Sequence, residues 1–280
     1  MSLTHSTAIG ARTELRATAP DGVRAARGFA PGVERSLGWL APLALLTLWV
    51  ATTRHASDGT AHVMVSPREV LDAARELAGS GELAAHVRAS MGRLAVGFAV
   101  GASLGLAYGL VAGAFPAIRS LFGSTFHAIR QVPSIAFIPM LVLMFGVEET
   151  FKIVIVAKST FFPVALATAD GVRGVPRSFL DVARAYRVRG LNLLRYILLP
   201  ATVPPIVTGL RIALGRSWMV LVAAEILAAE SGLGQMMERG RQMLRLDVVL
   251  VGVLFTGVAG LALEEGMRLV ERRLQRWRRA

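Results

Sequence analysis

The sequence predicts an all-α polytopic membrane protein with about six transmembrane helices, and three observations lead to that fold class. The chain of 280 residues is 54% hydrophobic with a mean hydropathy of +0.53. Only 18% of its residues are charged, against about 25% in soluble domains. The charges fall in blocks, and the stretches between the blocks are apolar and about long enough to cross a bilayer as helices.

The candidate spans are six apolar stretches, residues 37–53, 94–115, 132–147, 153–169, 205–228 and 248–263. The third is short and contains Pro133 and Pro139, so we expect it to be kinked or to begin at the membrane surface. Residues 1–36 are rich in Ala, Gly, Arg and Thr, and are expected to form a mostly disordered cytoplasmic tail. This leaves 37–280 as the transmembrane domain.

The positions of lysine and arginine predict the orientation of the spans. Both terminal segments, the loop after the second span and residues 171–204 carry 19 of these residues, whereas the loops on the opposite side carry nine. Because cytoplasmic loops are enriched in positive charge, both termini and residues 171–204 are expected in the cytoplasm. On the opposite side, Ser66, Pro67 and Glu69 form a capping-box signature, which predicts an amphipathic helix on the outer membrane surface.

The second span contains a glycine at every fourth position. At 3.6 residues per turn these glycines form one slowly drifting stripe, which lets another helix approach closely. We therefore expect a helix-packing seam made by Gly97, Gly101, Gly105, Gly109 and Gly113.

Signatures of catalysis and of nucleotide or metal binding are missing from the sequence. It has no cysteine, no GxxxxGK[ST], HExxH or GxSxG motif, and five scattered histidines. The net charge of +12 does not indicate nucleic-acid binding, because the arginines lie at the ends of apolar segments. We expect no enzyme, metal or cofactor, and a pump of this kind would draw energy from a partner or an ion gradient.

Residues 171–204 form a basic segment between two spans, with six arginines and a single carboxylate, Asp181. Its apolar residues are spaced for short amphipathic helices, which favours contact with another protein at the membrane surface. The run from Asp181 to Arg187, followed after nine residues by Ile197-Leu-Leu-Pro200, resembles the EAA motif of bacterial ABC importer permeases. That motif reads E-A-A, three residues, G, nine residues, I-x-L-P.

The matches to the motif are Asp181 at its glutamate, Ala183 at its second alanine, and Ile197, Leu199 and Pro200 at its end. In the family this loop forms short coupling helices that dock into a cleft of the ATPase, and Tyr186 and Leu193 are the candidate anchors here. Pro200 is expected to end the loop helix. Arg187 stands where the motif has glycine, so Gly190 could take over the turn, or Arg187 could be accommodated in it.

The resemblance extends over residues 60–280, through the sequences VPSIAFIP at 132–139 and SGLG at 231–234. It is most similar to the nitrate, sulfonate and taurine branch of these permeases, and to aliphatic sulfonate permeases in particular. The resemblance implies a type I ABC importer fold in the bacterial inner membrane and a homodimer. It also implies a cytoplasmic subunit that binds ATP and Mg²⁺, an extracytoplasmic solute-binding protein, and a small anionic solute.

Four ionisable residues lie within the predicted spans and are candidates for the translocation path: Lys158, Arg211, Arg216 and Glu225. Our hypothesis is that Lys158 and Arg216 attract an anion. The alternative is that these cations pair with carboxylates of neighbouring helices, for example Lys158 with Glu225, or extend to the membrane surface.

Two other functions remain as alternatives. An ion-gradient-driven secondary transporter would show broken helices with intramembrane carboxylates in two repeated halves, and the chain has no clear internal repeat. A membrane-embedded enzyme would show paired catalytic groups, and none is visible.

Overall fold

The structure is a computed structural model that describes residues 31–55, 65–188 and 190–274. Within these ranges the ordered elements are helices and none is a strand, so the all-α prediction is confirmed. The chain divides into two compact units, Met1–Thr52 and Thr53–Ala280. The first helix begins at Pro31, inside the predicted tail, and the rest of that tail (1–30) lies outside the described residues.

From Pro67 onward, the helices follow one another with short connections. In chain order they are α1 (Pro31–His55), α2 (Pro67–Gly79), α3 (Glu82–Ala114), α4 (Pro116–Gln131), a 3₁₀ turn (Ser134–Phe137), α5 (Ile138–Phe145), α6 (Glu149–Arg173), α7 (Arg177–Ala185), α8 (Leu191–Leu193), a π-helical turn (Leu194–Leu198), α9 (Leu199–Leu227), α10 (Leu233–Gln242) and α11 (Leu246–Leu274).

Four of the described helices are long and apolar enough to span a membrane: α3, α6, α11 and the helix Arg195–Leu227 that contains α9. A fifth span results if α4 and the segment Ser134–Phe145 count as one, bent by 88°. The first predicted span, residues 37–53, lies in α1, whose apolar part, Pro42–Thr53, is shorter than a full span.

The predicted kink in the third span is present, but it lies at Val132–Pro133, before the apolar core of that stretch. Pro133 cannot continue a helix that already ends at Gln131, and it disfavours helical geometry at Val132, whose φ and ψ are −73° and 118°. Pro139, by contrast, lies in the first turn of α5, where the missing N–H needs no partner.

Helix α6 is the centre of the bundle, packed against α3 on one side and α9 on the other. Its buried face includes Phe151, Ile155 and Val164, none of which has any exposed surface. The order of contacts along the glycine stripe shows that α3 and α6 run parallel, because Gly97 meets residues 153–156 and Gly113 meets residues 169–172.

The five glycines predicted to form a seam all face α6. A Cβ atom placed on Gly101 would lie 2.3 Å from the carbonyl oxygen of Ala157, and one on Gly109 would lie 2.5 Å from that of Ala165. The backbones of α3 and α6 therefore approach to a distance that only glycine permits at these positions.

The predicted capping box at the start of α2 is confirmed. The Glu69 backbone N–H donates to Ser66 Oγ (3.3 Å), and the Ser66 N–H donates to the Glu69 carboxylate (2.7 Å). Helix α2 packs against α11, and Arg245, just before α11, donates to Glu76 at 2.9 Å. This hydrogen bond holds the pKa of the Glu76 carboxyl below its usual range.

Candidate functional site

Helix α7, at the centre of the basic segment, has one buried residue and an exposed apolar face. Ala183 is only 2% exposed and faces the body of the protein. On the adjoining face Phe179, Val182 and Tyr186 are exposed, Tyr186 by 79%. An apolar face on a short helix at a charged loop is typical of helices that dock into the groove of another protein.

The turn after α7 uses the backbone geometry that the motif's glycine would supply. Arg187 has a φ of +55°, in the left-handed region. The Val188 N–H donates to the Ala183 carbonyl (2.8 Å), and the Arg187 N–H donates to the Arg184 carbonyl (3.0 Å). This pair of hydrogen bonds is a Schellman motif, in which the left-handed position is normally glycine.

Both turn candidates are therefore left-handed, because Gly190 also has a positive φ, of +60°. Arg187 is accommodated at the motif position, and Gly190 serves a second turn that leads into α8. Arginine in this conformation costs about 1 kcal/mol or more relative to glycine.

The second half of the segment is continuous with the following span. After α8, the π-helical turn Leu194–Leu198 leads directly into α9. The expectation that Pro200 ends the loop helix is wrong, because Pro200 lies in the first turn of α9. The π turn changes the hydrogen-bonding register just before it, and at a first turn the proline lacks only an N–H that would have no helical partner.

A cavity of about 680 Å³ lies between α7, the end of α6 and the start of α9. Its walls are mainly apolar and include Ile197 and Pro200 of the motif together with Phe179, Tyr196, Pro204 and Pro205. Leu193 and Leu199 are half-buried nearby, and Asp181 is exposed, paired with Arg184 at 3.1 Å.

An ionic cluster around a buried arginine, at the opposite end of the bundle, was missed by the sequence reasoning. Arg93 of α3 is 4% exposed and donates to Glu225 of α9 at 2.8 Å and to Glu149 of α6 at 2.6 Å. It also donates to the carbonyl and hydroxyl oxygens of Ser231, both at 2.6 Å. We call Arg93, Glu149, Glu225, Ser90 and Ser231 the clasp, because they join α3, α6, α9 and the connection to α10.

The Glu225 carboxylate also anchors the start of α10. It has no exposed surface, accepts from the Ser90 hydroxyl at 2.8 Å, and accepts from the Gly234 N–H at 3.1 Å. The sequence contained a signal for this arrangement, because a carboxylate inside a span needs a cationic partner. Arg93 was overlooked because it was counted with the loop before the span.

The four ionisable residues predicted for the path fall into two groups. Glu225 belongs to the clasp, so Lys158 is not its partner, and Arg211 pairs with Glu271 of α11 at 2.9 Å. Lys158 and Arg216, in contrast, have no carboxylate within ion-pair distance in the described part of the chain. These are the two cations that the sequence hypothesis assigned to an anion.

Comparison with known proteins places these features in a family. Residues 84–276 match the family model for the inner-membrane component of binding-protein-dependent transport systems. The chain belongs to this family of permeases. As in the rest of the family, the permease is the membrane component of an ABC importer in the inner membrane, and ATP hydrolysis belongs to a separate subunit. Family membership also implies a solute-binding protein as a partner.

Relatives are similar to the permease over most of its length. A putative aliphatic sulfonates transport permease protein of Bacillus subtilis (strain 168) is 34% identical over 252 residues, covering 89% of this chain and 91% of the relative. The taurine transport system permease protein of Escherichia coli (strain K12) is also 34% identical, with coverages of 88% and 90%. A bicarbonate transport system permease protein of Synechococcus elongatus is 30% identical, with coverages of 68% and 67%.

Proposed function

We propose that the permease forms a homodimer whose two copies of α7 dock into two cytoplasmic ATP-binding subunits. The observation that carries this proposal is the exposed apolar face of α7, made by Phe179, Val182 and Tyr186 beside the buried Ala183. Arginines surround that face, so a partner cleft with apolar walls and an acidic rim would complement it. ATP and Mg²⁺ would be bound by the partner, and closure of the ATPases would move α7.

The continuous helix that follows the loop supports transmission of this movement into the membrane. From Arg195 to Leu227 the chain is one long helix, so displacement at the loop shifts a complete span. The excess of lysine and arginine in the terminal segments and in residues 171–204 supports an orientation with the loop and both termini in the cytoplasm.

The proposed solute is a small oxyanion, an aliphatic sulfonate or taurine first, and nitrate or bicarbonate second. The relatives named for sulfonates, taurine and bicarbonate support this class. Lys158 and Arg216 support it as well: within the described residues neither has a carboxylate at ion-pair distance, and an anion in transit could neutralise them.

The docking proposal can be tested with Val182→Glu, which places a charge in the centre of the exposed apolar face while leaving Ala183 in its buried position. The tagged permease is purified and the ATPase subunit that it retains is quantified, together with taurine uptake. We expect loss of both for Val182→Glu, because burying an unpaired carboxylate at an interface is costly.

Val182→Leu is the matched control, since it preserves the apolar surface, and it should retain the ATPase at the wild-type level. Normal ATPase retention and uptake by Val182→Glu, at equal amounts of permease in the membrane, would contradict docking through α7.

A further inference from the structure

Lys158 differs from the other cations that lie among the spans and have named contacts. Arg93, Lys152 and Arg211 each lie within ion-pair distance of a carboxylate. The Nζ atom of Lys158 instead lies 3.3 Å from the carbonyl oxygen of Val132 and 3.4 Å from the hydroxyl of Ser134. Its polar contacts in the described part of the chain are therefore neutral and long.

The position of Lys158 makes this lack of a counter-ion expensive. Lys158 is the tenth residue of the 25-residue helix α6, so about 13 Å of helix separate it from the start of that span. Two residues further along α6, Thr160 hydrogen-bonds Ser217 at 2.7 Å, well inside α9. A lone positive charge at such depth costs several kcal/mol, and the cost falls when an anion lies beside it.

The groups around the Lys158 Nζ atom attract its positive charge but carry no negative charge that would neutralise it. The ring centre of Phe137 is 4.3 Å away and that of Phe162 is 5.5 Å away, within range of cation–π attraction. The Val132 carbonyl is available because α4 ends at Gln131 and Pro133 follows. Nζ is held at the break between α4 and the 3₁₀ turn, and is not extended toward either end of the bundle.

We propose that Lys158, Ser134, Phe137 and Phe162 form a binding site for the anionic group of a small organic solute, halfway through the span. The site rests on the proposed function, since it supplies the counter-charge for the proposed class of solute. Lys158 donates to the oxyanion, the Ser134 hydroxyl can turn to donate as well, and the rings contact the short organic part. Weak neutral contacts in the empty state favour release, as a transport site requires.

A structural role for Lys158 makes a different prediction. Lys158 could serve only to cap the free Val132 carbonyl at the end of α4, in which case its N–H donors matter and its charge does not. Lys158→Gln keeps N–H donors but removes the charge, whereas Lys158→Arg keeps the charge. The pair of variants therefore separates an anion site from a cap.

The transporter is reconstituted in proteoliposomes with its ATPase and solute-binding protein, and uptake of radiolabelled taurine is measured beside ATP hydrolysis. We expect Lys158→Gln to lower uptake at least about ten-fold and Lys158→Arg to stay within about three-fold of wild type. Both variants should retain the ATPase subunit. Uptake by Lys158→Gln equal to wild type would show that Lys158 is a cap.

A second measurement does not depend on transport or on taurine being the physiological solute. The unfolding temperature of the purified permease is recorded in taurine, ethanesulfonate, nitrate and bicarbonate, with glycerol as the uncharged control. At least one anion should raise it for wild type and Lys158→Arg, but not for Lys158→Gln. Equal stabilisation of Lys158→Gln, or no stabilisation of wild type by any of the four anions, would overturn the site.

Two further outcomes would also overturn the proposed anion site. If the wild-type permease is a dimer and the Lys158→Gln variant is a monomer, the counter-ion of Lys158 is a carboxylate of the second copy. If Lys158→Gln is absent from the membrane while Lys158→Arg is present, the charge is needed for folding. Failure of wild-type taurine uptake together with normal anion stabilisation would instead count against the proposed solute and leave the site intact.

Discussion

The loop end and the clasp end of the bundle use the same ion-pair chemistry in opposite environments. In α7, Arg184 and Asp181 pair at 3.1 Å with side chains that are 79% and 65% exposed. In the clasp, Arg93 and Glu225 pair at 2.8 Å with side chains that are 4% and 0% exposed. Water and salt screen the first pair, so its contribution to stability is small. The second pair is desolvated, so losing either partner leaves a buried charge.

This comparison separates residues that hold the fold from residues that remain available for contact. In the clasp, Arg93 and Glu225 are both committed to neighbours within the chain, so these two buried groups serve the fold. At the loop end, the charges surround an apolar face that nothing in the described chain covers. Four substitutions test this distinction, from the largest expected effect to the smallest.

Glu225→Ala should have the largest effect, a loss of about 3–5 kcal/mol of stability. It would remove the carboxylate that accepts from Arg93, Ser90 and the Gly234 N–H. We expect little permease in the membrane and a large drop in unfolding temperature. Asp181→Asn is the control in an exposed pair and should change the stability by less than about 1 kcal/mol. Similar effects of both variants would show that burial does not distinguish the two ends.

Gly101→Ala should destabilise by about 1–3 kcal/mol, because the new Cβ would lie 2.3 Å from the Ala157 carbonyl oxygen and would force α3 and α6 apart. Gly215→Ala in α9 is the matched control, since a Cβ there meets nothing within 4 Å. It should be neutral or slightly stabilising. Thermal unfolding of the purified variants measures both, and equal stability of the two would argue against a tight seam.

Tyr186→Ala should impair transport without loss of stability. Tyr186 is 79% exposed, so its removal costs the fold little, whereas a buried aromatic anchor at an interface contributes about 2 kcal/mol or more to binding. We expect uptake and ATPase retention to fall about ten-fold or more. Tyr186→Phe should restore most of both, because the ring supplies the apolar area. Wild-type uptake and ATPase retention by Tyr186→Ala would show that Tyr186 does not anchor the permease to the ATPase.

Arg187→Gly should have the smallest effect and the opposite sign. Arg187 has a left-handed backbone with a φ of +55°, which glycine adopts without strain. Removing that strain should raise the free energy of unfolding by about 1 kcal/mol. Leu244→Gly is the matched change in a second Schellman motif, where Leu244 has a φ of +57° after α10. Differential scanning calorimetry of both variants should show a small increase in the unfolding temperature. Destabilisation by Arg187→Gly would mean that a contact of the Arg187 side chain stabilises the fold by more than the backbone strain destabilises it.

The fold class and the loop were predictable because their signals are local in the sequence. Hydropathy located the spans, the spacing from Asp181 to Pro200 located the coupling segment, and the register of the five glycines indicated one packed face. The left-handed position was also implied, since the motif has glycine where this chain has Arg187. These features depend on residues close together along the chain, which sequence patterns record directly.

The ion pairs of Arg93 and Arg211 were not predictable in the same way, because each joins residues far apart in the chain. Arg93 and Glu225 are 132 positions apart, and no pattern in the sequence states that they meet. The path of the chain through the π turn into α9 was likewise not predictable. A proline such as Pro200 indicates a helix break unless it is known to lie in a first turn.

The sequence by itself determined that this chain is an all-helical membrane protein, because periodicity and hydropathy are set by the order of residues. Its basic segment also carries the motif that resembles those of ABC importer permeases. Only the tertiary structure decided which charges are neutralised. Glu225 and Arg211 are paired within the bundle, whereas Lys158 lies among neutral groups at a helix break. The physical reason is that the energy of a charge inside a membrane depends on the distance to its counter-ion, and that distance is set by how α3, α6, α9 and α11 pack.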